Sequence, residues 1–218
     1  MLYYMMNKPA GYLTACSDEL RPTVMEFIPE EYRSSLKPIG RLDMDTTGLL
    51  LFTDDGRVTP ALMQPKSHVE KKYFFYAIGK IDAAKKRSLE QGVRLGSSGE
   101  ISLPAVFGKI WEGTVGDISS FLPERRKMKY LKNPSGPAFA GTLTVREGKK
   151  HQIKLMLRAV DCKIIRLSRV SLGGITLDLS LKAGEGRFLY GEELNIISEL
   201  IERGAAKTSE VKPDFSKA

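Results

Sequence analysis

GRLDMDTTGLLLFTDDG, residues 40–56, sets a charged cluster directly against an apolar run. Arg41, Asp43 and Asp45 lead through two threonines into Gly48, and Leu49 to Phe52 follow. Four apolar residues bounded by turn signals read as a short buried strand rather than a helix. Asp55-Gly56 closes the stretch as a turn dipeptide. The expected picture is a polar loop carrying one Arg and two carboxylates, anchored by a core strand. Rigid strands commonly hold loops of this kind where chemistry is done.

Residue types alone leave several readings open. An isolated Asp-x-Asp is most often a turn with solvated acids. A calcium loop is the second reading, with Asp43, Asp45, Thr47, Gly48 and Asp54 at the ligand and turn positions. It fails because the closing ligand should be a bidentate Glu, and because residues 49–52 call for burial.

The string Gly-Arg-Leu-Asp-x-Asp-Thr-x-Gly-Leu-Leu-Leu resembles the signature of the RNA pseudouridine synthases that modify small-subunit and large-subunit ribosomal RNA. In that family the Asp of Arg-Leu-Asp is the catalytic residue, which the resemblance places at Asp43. Further family segments follow in family order, from about residue 3 to about residue 200. Asn7-Lys8-Pro9-Ala10-Gly11 resembles the start of the catalytic domain. Lys71-x-Tyr73 resembles the strand whose Tyr packs on the uracil. Glu147-Gly148-x-x-His151-Gln152-Ile153-Lys154 resembles the motif whose terminal basic residue pairs with the catalytic carboxylate. Gly173-Gly174-Ile175-Thr176-Leu177 resembles the last segment, which makes Leu177 the candidate apolar lining residue. The small RNA-binding domain of the S4 type, which many relatives carry ahead of the catalytic domain, is expected to be absent.

The resemblance implies an α+β fold: a mixed, mostly antiparallel sheet in two subdomains, flanked by helices, with a central cleft. One catalytic domain is expected over residues 1–203, with an insertion loop at about 123–136 and a disordered tail at 204–218.

Local patterns add detail. Residues 2–6 read as a strand and Val24 to Ile28 as a short helix stopped by Pro29; 60–68 read as polar and interrupted. Residues 70–78 are an aromatic-rich strand, and 82–91 a helix with Asp82 as its N-cap. Strands are expected at 92–95, 102–106 and 142–145. The stretch 113–141 is the least regular. Within it, residues 123–134 carry five cations against one acid, bounded by prolines, and read as a loop. Ile153, Met156, Leu157 and Val160 share a helical face, while Lys150, Lys154 and Arg158 share another. From 146 to 169 there are eight Lys or Arg and two acids, the strongest basic patch. A closing helix is expected over 192–201.

The chain has 218 residues and a net charge of +8, with a pI of about 9.4. That balance favours a polyanionic partner. No apolar stretch is long enough to span a bilayer, and the N-terminus has no signal-peptide pattern. Cys16 and Cys162 make neither a disulfide framework nor a metal site, and two histidines make zinc improbable. A cytoplasmic monomer is expected, without cofactor or metal and without a membrane.

The implied reaction breaks the uridine N1–C1′ bond, turns the base and rejoins it through C5. It is redox-neutral and transfers no phosphate, and the chain shows no P-loop or dinucleotide fingerprint. Asp43 is the expected nucleophile or base, Lys154 its charge partner, and Tyr73 the stacking face. Arg41, Lys71, Lys150, Arg158 and Arg166 are candidate RNA contacts. Asp45 is expected to hold Arg41 or to cap the loop. The expected partner is ribosomal RNA or an assembling ribosomal subunit, with small-subunit rRNA favoured. Competing readings are a non-catalytic RNA-binding protein on the same fold, a two-carboxylate glycosidic hydrolase, and an Asp-x-Asp sugar transferase needing a metal.

Overall fold

The computed structural model describes residues 1–96 and 99–209. In chain order the strands and helices are β1 (Tyr3–Lys8), β2 (Lys37–Ile39), β3 (Thr47–Thr53), α1 (Val58–Met63), β4 (Lys71–Ile78), α2 (Ala83–Gln91) and β5 (Val106–Thr114). They continue with α3 (Glu124–Tyr130), β6 (Pro137–Val145), α4 (Gln152–Ala159), β7 (Lys163–Leu172), β8 (Ile175–Thr176), β9 (Gly186–Phe188) and α5 (Glu192–Ser209).

Among the described residues, the nine strands join one sheet, ordered β5-β6-β4-β7-β3-β1-β9, with β2 added on β3 and β8 on β7. Every pairing is antiparallel except β3 with β7, which run parallel only at Thr47–Ser168 and Gly48–Arg169. That short parallel seam divides the sheet into two halves. Gly48 makes it possible: its φ is +96°, and a Cβ there would run into the Arg169 carbonyl oxygen and Ser168 Oγ.

The apolar run of β3 is continuous because both of its faces are covered. Leu49 and Leu51 join Met5, Ile175 and Ile197 in one core, and Leu50 and Phe52 join Tyr4, Met6 and Ile28 in another. Strands buried on two faces lose their polar alternation. On the other half, α2 and α4 cover one face of β4, β6 and β7. There Ile153, Met156, Leu157 and Val160 pack with Phe75, Phe139 and Leu143, as the helical spacing predicts.

Several expectations need correction. Residues 60–68 are not merely polar: α1 forms, tolerating Pro60 in its first turn, where a missing N–H leaves nothing unpaired. The expected strands at 92–95 and 102–106 reduce to a single bridge, Arg94 with Ile101. The long strand there is β5, which starts at Val106, beyond Pro104. The insertion is not a loop, since α3 forms inside it. Glu124 sits in its first turn and Lys127 and Lys129 in its last, matching the helix dipole. The basic stretch from 163 onward is strand β7. Helix α5 continues past Gly204 to Ser209, so residues 204–209 are helical and not the disordered tail expected there; residues 210–218 lie outside the described residues. Among the described residues no helix is long and apolar enough to cross a membrane.

Candidate active site

The loop from Gly40 to Thr46 connects β2 to β3 and lies beside the seam. Three groups from the N-terminal segment fasten it. Gly11 N donates to the Met44 carbonyl at 2.8 Å. Thr14 Oγ1 donates to the Leu42 carbonyl at 3.0 Å and accepts from Leu42 N at 3.2 Å. Lys8 is fully buried, and its ammonium donates to the carbonyls of Pro9 at 2.9 Å and Thr46 at 3.1 Å, with longer contacts to Asp43 and Met44 at 3.4 Å. Burial pulls the Lys8 ammonium down to about 8, against the opposing charges of Asp45 and Asp43. The role of Lys8 escapes sequence reasoning, because Asn-Lys-Pro reads as a plain turn.

Opposite this loop stands the start of α4. The turn before it is braced by buried Glu147, which accepts from Leu103 N at 2.8 Å and from Gln152 Nε2 at 2.5 Å. His151 takes a left-handed conformation, φ 55°, just ahead of the helix. Lys154 Nζ reaches Asp43 Oδ2 at 2.7 Å and Asp45 Oδ1 at 2.6 Å. His151 Nε2 lies 3.7 Å from Asp43 Oδ1. Burial works against the Lys154 ammonium, but its hydrogen bonds to Asp43 and Asp45 outweigh that, so its pKa is raised. Asp45 therefore holds Lys154, not Arg41.

Asp43 stands at the rim of a cavity of about 280 Å³ that runs down to the sheet between the two halves. Arg41, Lys71, Tyr73, Lys154 and Arg169 share its lining. Tyr73 is half-buried and packs against the cores of both halves. A larger groove adjoins the rim and carries Arg21, Arg41, Lys149 and Lys150 along its walls.

Of the candidates, Asp43, Tyr73, Lys154, Arg41 and Lys71 come together in the cavity and Lys150 lines the groove. The other three do not join them. Arg158 is exposed at the far end of α4. Leu177 is buried in the core with Leu172 and Ile175, and its N–H donates to the Val170 carbonyl; it is not among the cavity-lining residues. Arg166 alternates with Leu167 and Arg169 along β7, so it faces the opposite side of the sheet. There its guanidinium lies 5.4 Å from the Phe121 ring centre. Arg169, counted in the basic patch, is 1% exposed and is a pocket residue instead.

The fold is one α+β sheet with this Asp–Lys pair over a cleft between its two halves, and comparison with known proteins specifies the family. Residues 2–159 match the RNA pseudouridylate synthase family, and the chain belongs to that family. It is 37% identical over 199 residues to the uncharacterized RNA pseudouridine synthase YtzG of Bacillus subtilis (strain 168), covering 91% of this chain and 74% of that one. It is 34% identical over 192 residues to ribosomal small subunit pseudouridine synthase A of Escherichia coli (strain K12), covering 88% and 72%. A solved pseudouridylate synthase superposes with a TM-score of 0.73 at 31% identity, over 90% of this chain and 73% of that chain.

Proposed function

We propose that this enzyme converts a specific uridine of ribosomal RNA to pseudouridine, with small-subunit rRNA the favoured target, and that Asp43 is its catalytic carboxylate. The observation that carries the proposal is the Asp43–Lys154 pair at the rim of a cavity floored by Tyr73. The relatives named for ribosomal small-subunit modification support the choice of RNA.

The target uridine leaves its stack, a step costing a few kcal/mol, and enters the cavity. Tyr73 offers the base a stacking face, an interaction worth about 1–3 kcal/mol. Asp43, paired with Lys154, acts on the flipped nucleoside at the sugar or the ring. The N1–C1′ bond breaks, the base turns, C5 bonds to C1′, the C5 proton leaves and N1 takes up a proton. Arg41 at the rim and Lys150 in the groove contact the RNA backbone. The catalytic unit includes α5, and the enzyme acts as a cytoplasmic monomer on rRNA or an assembling subunit.

Incubation with small-subunit and large-subunit rRNA, free and in ribosomal particles, followed by mapping of pseudouridine, tests the proposal. A new pseudouridine at one position of the small-subunit RNA is the expected result. A product only in large-subunit RNA would move the target, and none in either would remove rRNA as the substrate.

A further inference from the structure

Two of the cations that line the cavity are buried. Arg169 is 1% exposed and Lys71 is 5% exposed, and both line the cavity. Arg169 is the register partner of Tyr73 across β4 and β7, which sets the guanidinium beside the stacking ring. Lys71 Nζ donates to the Val69 carbonyl at 3.0 Å. Arg169 Nε donates to the Leu49 carbonyl at 2.9 Å, while its Nη2 is buried with no hydrogen-bond partner.

Among the described residues neither cation has a carboxylate to pair with; the polar side chain that Arg169 meets is the Tyr73 phenol. Two carboxylates line the cavity. Asp43 is held by Lys154, and Glu147 by Lys149, Gln152 and the Leu103 amide. Buried charge without a counter-ion is costly, and two like charges compound the cost. Burial first and the Arg169 charge second pull Lys71 down to about 8. A site built this way is poised for negative charge that arrives with a ligand.

We propose that Lys71 and Arg169 form an oxyanion subsite for the pyrimidine ring, taking the carbonyl oxygens of the flipped uracil and the charge it gains when N1–C1′ breaks. This rests on the reading that the cavity admits the target uridine. When that bond breaks, its electron pair goes to the base, and the charge spreads over N1, O2 and O4. Re-attachment uses the ring π pair to make C5–C1′; the C5 proton is then lost and N1 gains one, so the product is a neutral isomer. The subsite therefore meets full negative charge only while the base is detached. Interactions that strengthen at that stage raise the rate rather than the affinity. They also keep the loose base from leaving the cavity while it turns.

Lys71→Met tests the proposal, since it keeps the stem and removes the charge; Arg169→Gln is the second variant. Single-turnover rate, RNA affinity, Tm and the response to 2-thiouracil and 4-thiouracil at the target position are measured together. Sulfur accepts hydrogen bonds poorly, so thio substitution should slow the wild type. The expected result is a rate loss of roughly 10²–10³-fold in Lys71→Met, with unchanged RNA affinity and an unchanged or higher Tm. The variant should also no longer distinguish the thio substrates from uracil. A wild-type rate, or a rate loss that follows a fall in Tm and leaves thio discrimination intact, would overturn the subsite. Failure of the cavity reading itself shows differently, as an inactive wild type or an active Asp43→Asn.

Discussion

Lys154 Nζ donates to Asp43 Oδ2 at 2.7 Å, joining the first turn of α4 to a loop 111 residues earlier in the chain. The same ammonium reaches Asp45 at 2.6 Å, but Asp45 is 75% exposed and Asp43 is 31% exposed. Solvent screens the outer pair, so it contributes little. The inner pair borders the cavity, where Lys154 fixes the position of the Asp43 carboxylate. Lys154→Met should lower the isomerisation rate by roughly a hundredfold or more, Lys154→Arg should restore part of it, and Asp45→Asn should change it little. Single-turnover kinetics on rRNA measures all three; equal losses from Asp45→Asn and Lys154→Met would show that the pairing works differently.

Tyr73 has a ring and a phenol, and two variants separate them. Tyr73→Phe keeps the stacking surface, so RNA bearing the target uridine should bind as before. Any loss of rate then reports the phenol. Tyr73→Ala removes the surface as well and should weaken binding by about 1–3 kcal/mol. Matched binding and rate measurements on the two variants check this, and identical behaviour would deny the ring its role.

These roles were only partly legible in the chain. The strand at 49–52 announced itself because a continuous apolar run between turn residues can only be buried. The face of α4 followed from spacing alone. Strand β7 did not, since Lys163, Arg166 and Arg169 interrupt its apolar residues, and a cation buried at the seam looks in sequence like one on a surface. Helix α1 was masked by Pro60, and α3 by the prolines that bound it. Lys8 was hidden for another reason: its partners are loop carbonyls, which any residue supplies.

The buried lysines give a pH dependence with a definite sign. Burial brings Lys8 and Lys71 each to about 8, from an ordinary 10.5. Between those values the unfolded chain binds more protons than the folded one, so stability rises with pH across that window. Below it both buried charges count in full against the fold. Lys154, with its raised pKa, acts in the opposite sense, losing its stabilising charge only above the ordinary lysine range. Urea midpoints at about pH 7 and about pH 9.5 should therefore increase, and Lys71→Met should flatten the rise. A midpoint that falls over this interval would contradict the burial of these groups.

Salt dependence separates the cations of the groove from those behind the sheet. Lys150 lines the groove beside the rim, whereas Arg166 lies over Phe121 on the other face. Lys150→Ala should weaken RNA binding and reduce the log–log salt slope by about 1, as expected for one lost phosphate contact. Arg166→Ala should leave both unchanged. A larger effect from Arg166 would place RNA on the opposite face of the sheet.

Release of tritium from rRNA labelled at uridine C5 tests the assignment of Asp43 most directly, because that hydrogen leaves only when C5 takes the ribose. Wild-type enzyme should release tritium, and Asp43→Asn should release none while binding the same RNA with similar affinity. Release by Asp43→Asn at the wild-type rate would remove Asp43 from the chemistry. No release by either protein, with RNA still bound, would leave an RNA-binding protein on a synthase fold.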